Sequence, residues 1–378
     1  MCSEAQGRVN LYDENMSLMQ SCWSNDICAV FRVTLFLWAT FLVAFPSPVM
    51  AQAAQPALQS VEVPYLTLRN RTDAEEPGEV FGEARSTLKA GRCRVRDRDL
   101  RMLSPLADSA PSYLRDELLE VREVTHLRPA VLLDQLQTSV PADGLSLYVH
   151  GYKIGFDKGC RRAVLLKDNA ELSGRMLWFS WPSDGTLSNY VSDEADLYWS
   201  VPDLADSIVD LQQRFGAEPV NVVAHSLGAR GVVLALADVA SRFPEMRLGQ
   251  VVLVAADMDF AIFERVLPRI ESLAENITVY VSDSDRPLAV SRQLHGYPRL
   301  GEAGNDVAAL AGVEVIDVSG LPSSSPTGHL YHIYSRTVGE DLSQILNEGM
   351  GASGRRKLVP AGRNLWTLVA GSSDQPEG

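Results

Sequence analysis

Cysteine is scarce in this chain and is placed where it serves neither metal nor redox chemistry. Of five cysteines, Cys2, Cys22 and Cys28 lie near the N-terminus, and only Cys93 and Cys160 follow. No two form a Cys-x-x-Cys pair, which argues against zinc-ribbon and thioredoxin-like motifs. Histidine is sparse too, with six residues and no His-Glu-x-x-His pattern, so the sequence calls for no metal and no organic cofactor. Positive charge is in deficit: 34 Lys and Arg face 48 Asp and Glu, a net charge of −14. Such a surface disfavours nucleic acid and anionic membranes as partners. Internal repeats and low-complexity blocks are missing. At 378 residues, with 46% hydrophobic and 22% charged side chains, the chain has ordinary globular composition.

The N-terminus departs from that composition. Val33–Phe45 is a thirteen-residue, mostly apolar run preceded by Arg32 and followed by Pro46 and Pro48. It is short of the roughly 20 residues a membrane helix needs. Val49-Met50-Ala51 and Ala51-Gln52-Ala53 are small-residue cleavage patterns, so residues 1–53 read as a secretory signal peptide. The acidic stretch before the run is a poor leader, which makes Met16 or Met19 an alternative start; an uncleaved anchor is the competing reading. The expectation is a periplasmic or secreted protein with no stable membrane span in its mature form. In that setting Cys93 and Cys160 are expected to pair.

From residue 60 onward short apolar runs alternate with longer helical patterns. Strands are expected at 63–68, 93–95, 145–149, 176–180, 220–223, 251–254, 277–281 and 313–318. Helices are expected around 112–124, 158–171, 202–215, 229–242, 286–294 and 337–348. Most of the later runs are continuously apolar, as strands buried on both faces are. The alternation predicts an α/β fold with a mostly parallel central sheet and helices on both faces. We place a single domain at 54–348, with residues 69–91 polar and turn-rich within it. Residues 349–378 read as a C-terminal extension, partly disordered.

The most telling segment is Val220–Arg230, with the sequence VNVVAHSLGAR. A β-branched run ends in Ala224-His225-Ser226-Leu227-Gly228, and a helical pattern follows at once. A serine on a sharp turn between a buried strand and a helix presents its hydroxyl outward, and small neighbours let other backbone pass close by. This is a nucleophile elbow, with Ala224 in the place of the usual first glycine. The plainer reading of Ser226 is a helix cap. Ser183-Asp184-Gly185 also fits Ser-x-Gly, but in a turn-rich stretch that reads as a loop.

A nucleophilic serine needs a base, and the base needs an orienting acid. Open parallel sheets place their sites beyond the carboxyl ends of the strands. After the 277–281 strand come Asp283 and Asp285, of which Asp285 is favoured; Asp257, after the preceding strand, is a rival. After the 313–318 strand comes Gly328-His329-Leu330-Tyr331-His332, with His329 the preferred base. The order Ser226, Asp285, His329 is the α/β-hydrolase order. The oxyanion formed on acyl attack needs backbone donors. Leu227, next to the nucleophile, and Tyr152, in the His150-Gly151-Tyr152-Lys153 loop, are the candidates. His150 reads as a packing residue, and His126 and His295 as surface or loop residues. The stretch Thr186–Trp199, with Leu187, Tyr190, Tyr198 and Trp199, reads either as the wall of an apolar acyl pocket or as an ordinary packed helix.

Taken together, the motifs Tyr148–Tyr152, Phe179–Gly185, Ala224–Gly228, Asp257–Asp259, Ser282–Asp285 and Gly328-His329 resemble a bacterial α/β-hydrolase family catalogued as a domain of unknown function (number 900). The likeness runs from about residue 63 to about 348. It implies an α/β-hydrolase fold and, by position, the triad Ser226, Asp285 and His329. It implies no substrate. One departure is Lys153-Ile154-Gly155, where similar proteins tend to carry asparagine. The expected function is an exported serine hydrolase acting on a small-molecule carboxylic ester or related acyl compound. The alternative is a catalytically silent binding protein of the cell envelope with the same fold. The sequence does not fix an oligomeric state.

Overall fold

The computed structural model describes residues 60–98, 112–139, 144–184, 189–218 and 220–370. The chain enters through two long antiparallel strands, β1 (Val61–Arg71) and β2 (Phe81–Asp97), followed by β3 (Leu119–Leu127). Six strands then run parallel: β4 (Leu145–Val149), β5 (Arg175–Ser180), β6 (Val220–His225), β7 (Leu248–Val254), β8 (Ala274–Val281) and β9 (Val313–Asp317). Two short strands close the far edge, β10 (Leu358–Pro360) and β11 (Leu365–Leu368). Among the described residues they make one sheet of eleven strands in the order β10-β11-β9-β8-β7-β6-β4-β5-β1-β2-β3. All residues of β4, β5, β6 and β7 are buried, which is why their sequences lack alternation.

Helices cover both faces. On one side lie α1 (Pro129–Gln137), α3 (Tyr190–Phe215), α4 (Leu227–Arg242) and α5 (Phe260–Ile270), whose apolar residues join Leu147, Val222 and Leu253 in one core. On the other lie α2 (Phe156–Asn169), α6 (Arg286–His295), α7 (Tyr331–Tyr334) and α8 (Arg336–Leu346), packed on Tyr148, Val223 and Val252. The doubly covered parallel sheet agrees with the sequence expectation. Among the described residues no helix is long and apolar enough to cross a membrane. The expected signal peptide, residues 1–53, and the last eight residues, 371–378, lie outside the described residues.

Several segments differ from expectation. Residues 81–91, read within a polar and turn-rich stretch, belong to β2, and α1 and α5 lie where no helix is expected. Residues 119–124, read as part of a helix, belong to β3: Leu119 and Val121 face the core while Glu120 and Glu123 pair across the ladder with Arg96 and Arg94. The charges hid the period-two pattern. Helix α3 begins at Tyr190, twelve residues before the expected start, and carries Pro202 inside it. The domain also continues past residue 348. There Arg355, fully buried, pairs with Asp341 at 2.8 Å and Glu314 at 2.9 Å, and β11 adds to β9 in parallel register.

Cys93 on β2 and Cys160 on α2 are joined by a disulfide across 67 residues, both side chains fully buried. A cross-link of that span removes conformational freedom chiefly from the unfolded chain. Replacing both cysteines with alanine is expected to lower the unfolding free energy by about 2–5 kcal/mol. Urea denaturation of the variant beside the oxidised wild type measures it; an unchanged midpoint would deny the bond that role.

Candidate active site

The site grows from the turn between β6 and α4. Ser226 adopts φ 55° and ψ −123°, a region a non-glycine residue enters only under constraint. The constraint is backbone hydrogen bonding. Ser226 N–H donates to Val254 O at 3.0 Å, and Ser226 O accepts from Ala229 N and Asp257 N, both at 3.1 Å. Gly228 is needed because a Cβ there would stand 2.2 Å from His150 O, so α4 starts in direct contact with the end of β4. The first helical amide, that of Leu227, is positioned next to the serine by the same turn.

His329 and Asp285 meet as the sequence predicts. His329 Nδ1–H donates to Asp285 Oδ2 at 2.7 Å, which leaves Nε2 as the acceptor nitrogen. The other oxygen, Asp285 Oδ1, caps α6 by accepting from Leu288 N at 3.0 Å. One carboxylate thus caps a helix and holds an imidazole at once. Ser226 is brought beside this pair through its neighbour: the His225 ring lies 4.6 Å from the His329 ring, and His225 Nε2–H donates to His329 O at 3.1 Å. No hydrogen bond joins Ser226 Oγ to His329 among the described residues; such contacts often tighten only when substrate is bound. Gly151 also reaches the site, since a Cβ on it would stand 2.8 Å from Ser226 Cβ. The loop carrying Tyr152 thus flanks the serine.

The rival acids are placed elsewhere. Asp283 is exposed. Asp257 is buried in a network the sequence did not announce: Oδ1 accepts from Ser291 Oγ at 2.6 Å and Arg299 Nε at 2.8 Å, and Oδ2 from Tyr190 OH at 2.5 Å. Arg230 Nε–H donates to Asp257 O at 2.8 Å and also pairs with Glu194. Burial alone would push the Asp257 carboxyl up, but Arg230 and Arg299 more than offset it and hold it below the usual carboxylate range. Tyr190 is part of this network, and its ring also packs on that of Tyr152 at 5.1 Å. Tyr198 and Trp199 are largely turned outward, with Arg85 over the Trp199 ring at 5.5 Å, while Leu197 packs in the core. Leu187 lies outside the described residues. His295, read as a surface residue, closes the network against Glu194 at 3.0 Å.

Three histidines surround the site without being exposed. His150 stacks on Trp181 with ring centroids 5.1 Å apart, and burial with nearby Arg69 pushes its pKa down to about 3. His225 stacks on His332 at 4.2 Å. Burial first, and then neighbouring cationic groups, pushes both well below the ordinary histidine value. A cleft of about 590 Å³ is lined in part by Lys153, Gly155, Phe156, Lys158 and Phe81.

A strained serine between strand and helix, at the carboxyl edge of a doubly covered parallel sheet with an Asp–His pair beside it, defines the α/β-hydrolase class. More particularly, the profile of the family described as "Alpha/beta hydrolase of unknown function (DUF900)" matches residues 130–347, and the chain belongs to that family. Among solved structures it is similar to Est1E from Butyrivibrio proteoclasticus, with 13% identity, a TM-score of 0.37, and coverage of 56% of this chain and 90% of that one. It is also similar to a predicted CIB-like hydrolase from Thermoplasma acidophilum, with 13% identity, a TM-score of 0.33 and coverage of 56% and 88%. A third is Trichoderma reesei cutinase in complex with a phosphonate inhibitor, with 13% identity, a TM-score of 0.26 and coverage of 65% and 95%. Likeness at this level says nothing of substrate. No curated protein matches the chain.

The three buried histidines make stability depend on pH. Each takes up a proton near its ordinary value of 6.5 when unfolded and resists it when folded. Their stabilising contribution is therefore complete above pH 6.5 and lost as the pH falls below it. His332→Leu is expected to flatten the acid limb of a curve of unfolding free energy against pH by up to about 1.4 kcal/mol per pH unit. An acid limb as steep as the wild type's would show that His332 is already charged in the fold.

Proposed function

We propose that the chain is an exported serine hydrolase that cleaves a carboxylic ester or related acyl compound through an acyl-enzyme. The observation that carries this reading is the 2.7 Å His329–Asp285 hydrogen bond beside the strained Ser226, built from three separate strand ends. In this reading Ser226 Oγ attacks the acyl carbon while His329 Nε2 takes the hydroxyl proton. Asp285 keeps the imidazole in the Nδ1–H tautomer and stabilises the imidazolium. The amides of Leu227 and Tyr152 hold the oxyanion of the tetrahedral intermediate. Its collapse expels the alcohol, which leaves with the proton held by His329. Water, activated by the same imidazole, then releases the acid.

Export is part of the proposal. It is supported by the apolar leader pattern at 33–53 and by the buried Cys93–Cys160 disulfide, a bond typical of oxidising compartments. Recovery of an epitope-tagged full chain from the cytoplasmic fraction alone, with both thiols reduced, would sink that part.

The enzymatic part is tested with a p-nitrophenyl ester series of increasing acyl length. Wild-type protein should turn over at least one member and be labelled by a fluorophosphonate probe at Ser226. Ser226→Ala should abolish both. Asp285→Asn, which presents the wrong partner to Nδ1, should lower kcat by about 10³–10⁴-fold. Absence of both turnover and labelling in the wild type would leave the silent, partner-binding reading in its place.

A further inference from the structure

The loop after β4 is held in an unusual way: four consecutive peptide groups each have a side chain fixed to them. The Gly151 carbonyl accepts from His150 Nδ1–H at 2.8 Å. The Lys153 amide donates to Asp193 Oδ2 at 3.2 Å, and the Ile154 amide to Ser183 Oγ at 3.0 Å. The Ile154 carbonyl accepts from Arg69 Nη2 at 2.5 Å. Ser183 Oγ–H itself donates to Asp193 Oδ2 at 2.5 Å, and Asp193 Oδ1 accepts from Asp184 N at 2.9 Å. Arg69 Nη1–H closes the arrangement on Ser183 O at 2.8 Å.

Asp193 and Arg69 are both fully buried and of opposite charge, yet neither bonds the other: Asp193 takes donors from the two loops, and Arg69 donates to the loop carbonyls of Ile154 and Ser183 as well as to Ser180 Oγ and Gly82 O on neighbouring strands. The carboxylate collects donors and the guanidinium collects carbonyls, so the loops after β4 and β5 are clamped together from both polarities. Lys153 sits at φ 61°, a left-handed conformation that a lysine holds only under restraint, and its amide is the one Asp193 takes. Such an arrangement is worth more than packing requires when the backbone it fixes must hold a donor in place before charge develops.

We infer that Asp193 is a positioning residue for catalysis: by fixing the Tyr152–Lys153 peptide it holds one end of Tyr152, while His150 holds the Gly151–Tyr152 peptide at the other, so that the Tyr152 amide is kept directed at the oxyanion. The inference rests on the serine-hydrolase reading above. It assigns to the first turn of α3 a role in turnover, although that helix supplies neither nucleophile, base nor acid. Asparagine cannot replace the carboxylate there. Both oxygens accept from backbone N–H groups, so the amide nitrogen faces a donor in either orientation.

The test compares Asp193→Asn with Leu204→Ala, which loosens the same helix from its buried apolar face, on an ester the wild type turns over. For Asp193→Asn, kcat is expected to fall about 10–100-fold with KM within about twofold, because the lost interaction acts in the transition state. The inhibition constant of phenylboronic acid, which forms a tetrahedral adduct on the serine, should rise by a similar factor. Leu204→Ala should lower Tm and leave kcat and the boronate constant near wild type. Ser183→Ala, a milder cut in the same clamp, should move kcat in the same direction and covers the case in which Asp193→Asn does not fold. A kcat for Asp193→Asn within about threefold of wild type, or an equal loss in Leu204→Ala, overturns the inference. If the wild type and Ser226→Ala are indistinguishable, the serine-hydrolase reading itself has failed and takes this inference with it.

Discussion

Everything at this site depends on one strained residue being held against its own preference. A serine at φ 55° and ψ −123° costs on the order of 1–3 kcal/mol relative to relaxed backbone. Three backbone hydrogen bonds from Val254, Asp257 and Ala229 hold it there. Two of those come from β7 and the turn after it, so the elbow is only as firm as the β6–β7 pairing beneath it. That pairing is in turn fixed by side chains with no polar atoms, Val222 to Val251 and Ala224 to Leu253. The turn that carries one hydroxyl is thereby supported by the burial of the middle of the sheet.

Two aspartates that look alike in sequence have opposite surroundings. Asp257 and Asp285 each follow a parallel strand, and each could serve as the acid. What separates them is the company of charges. Asp257 meets two buried guanidiniums, Arg230 and Arg299, which compete for its oxygens and leave no room for an imidazole. Asp285 meets none within hydrogen-bond reach; its oxygens are taken by one helix amide and one histidine. Those arginines come from α4 and from the segment after α6, distant in sequence from Asp257, so local pattern could not reveal them.

The same distinction explains what could be read in advance. The parallel strands and the elbow were legible because continuous apolar runs and a strand–Ser–helix turn are local signals. The order Ser226, Asp285, His329 was legible because strand ends in such a sheet face one edge. β3 and α3 were misread where cross-strand salt bridges and an internal proline masked the periodicity. The C-terminal strands were missed because their anchor, Arg355, is a charged residue buried by partners far upstream. Asp193 was invisible for a like reason, since its partners lie on two loops that only the folded sheet brings together.

The double engagement of Asp285 reaches beyond the site. One carboxylate ties the start of α6 to the His329 loop, two segments 44 residues apart in sequence. The chain between them is held in its middle as well, where buried Arg299 pairs with Asp257. A displacement at the start of α6 is then carried to the His329 loop, and the reverse. A single side chain thus makes two distant segments one mechanical unit.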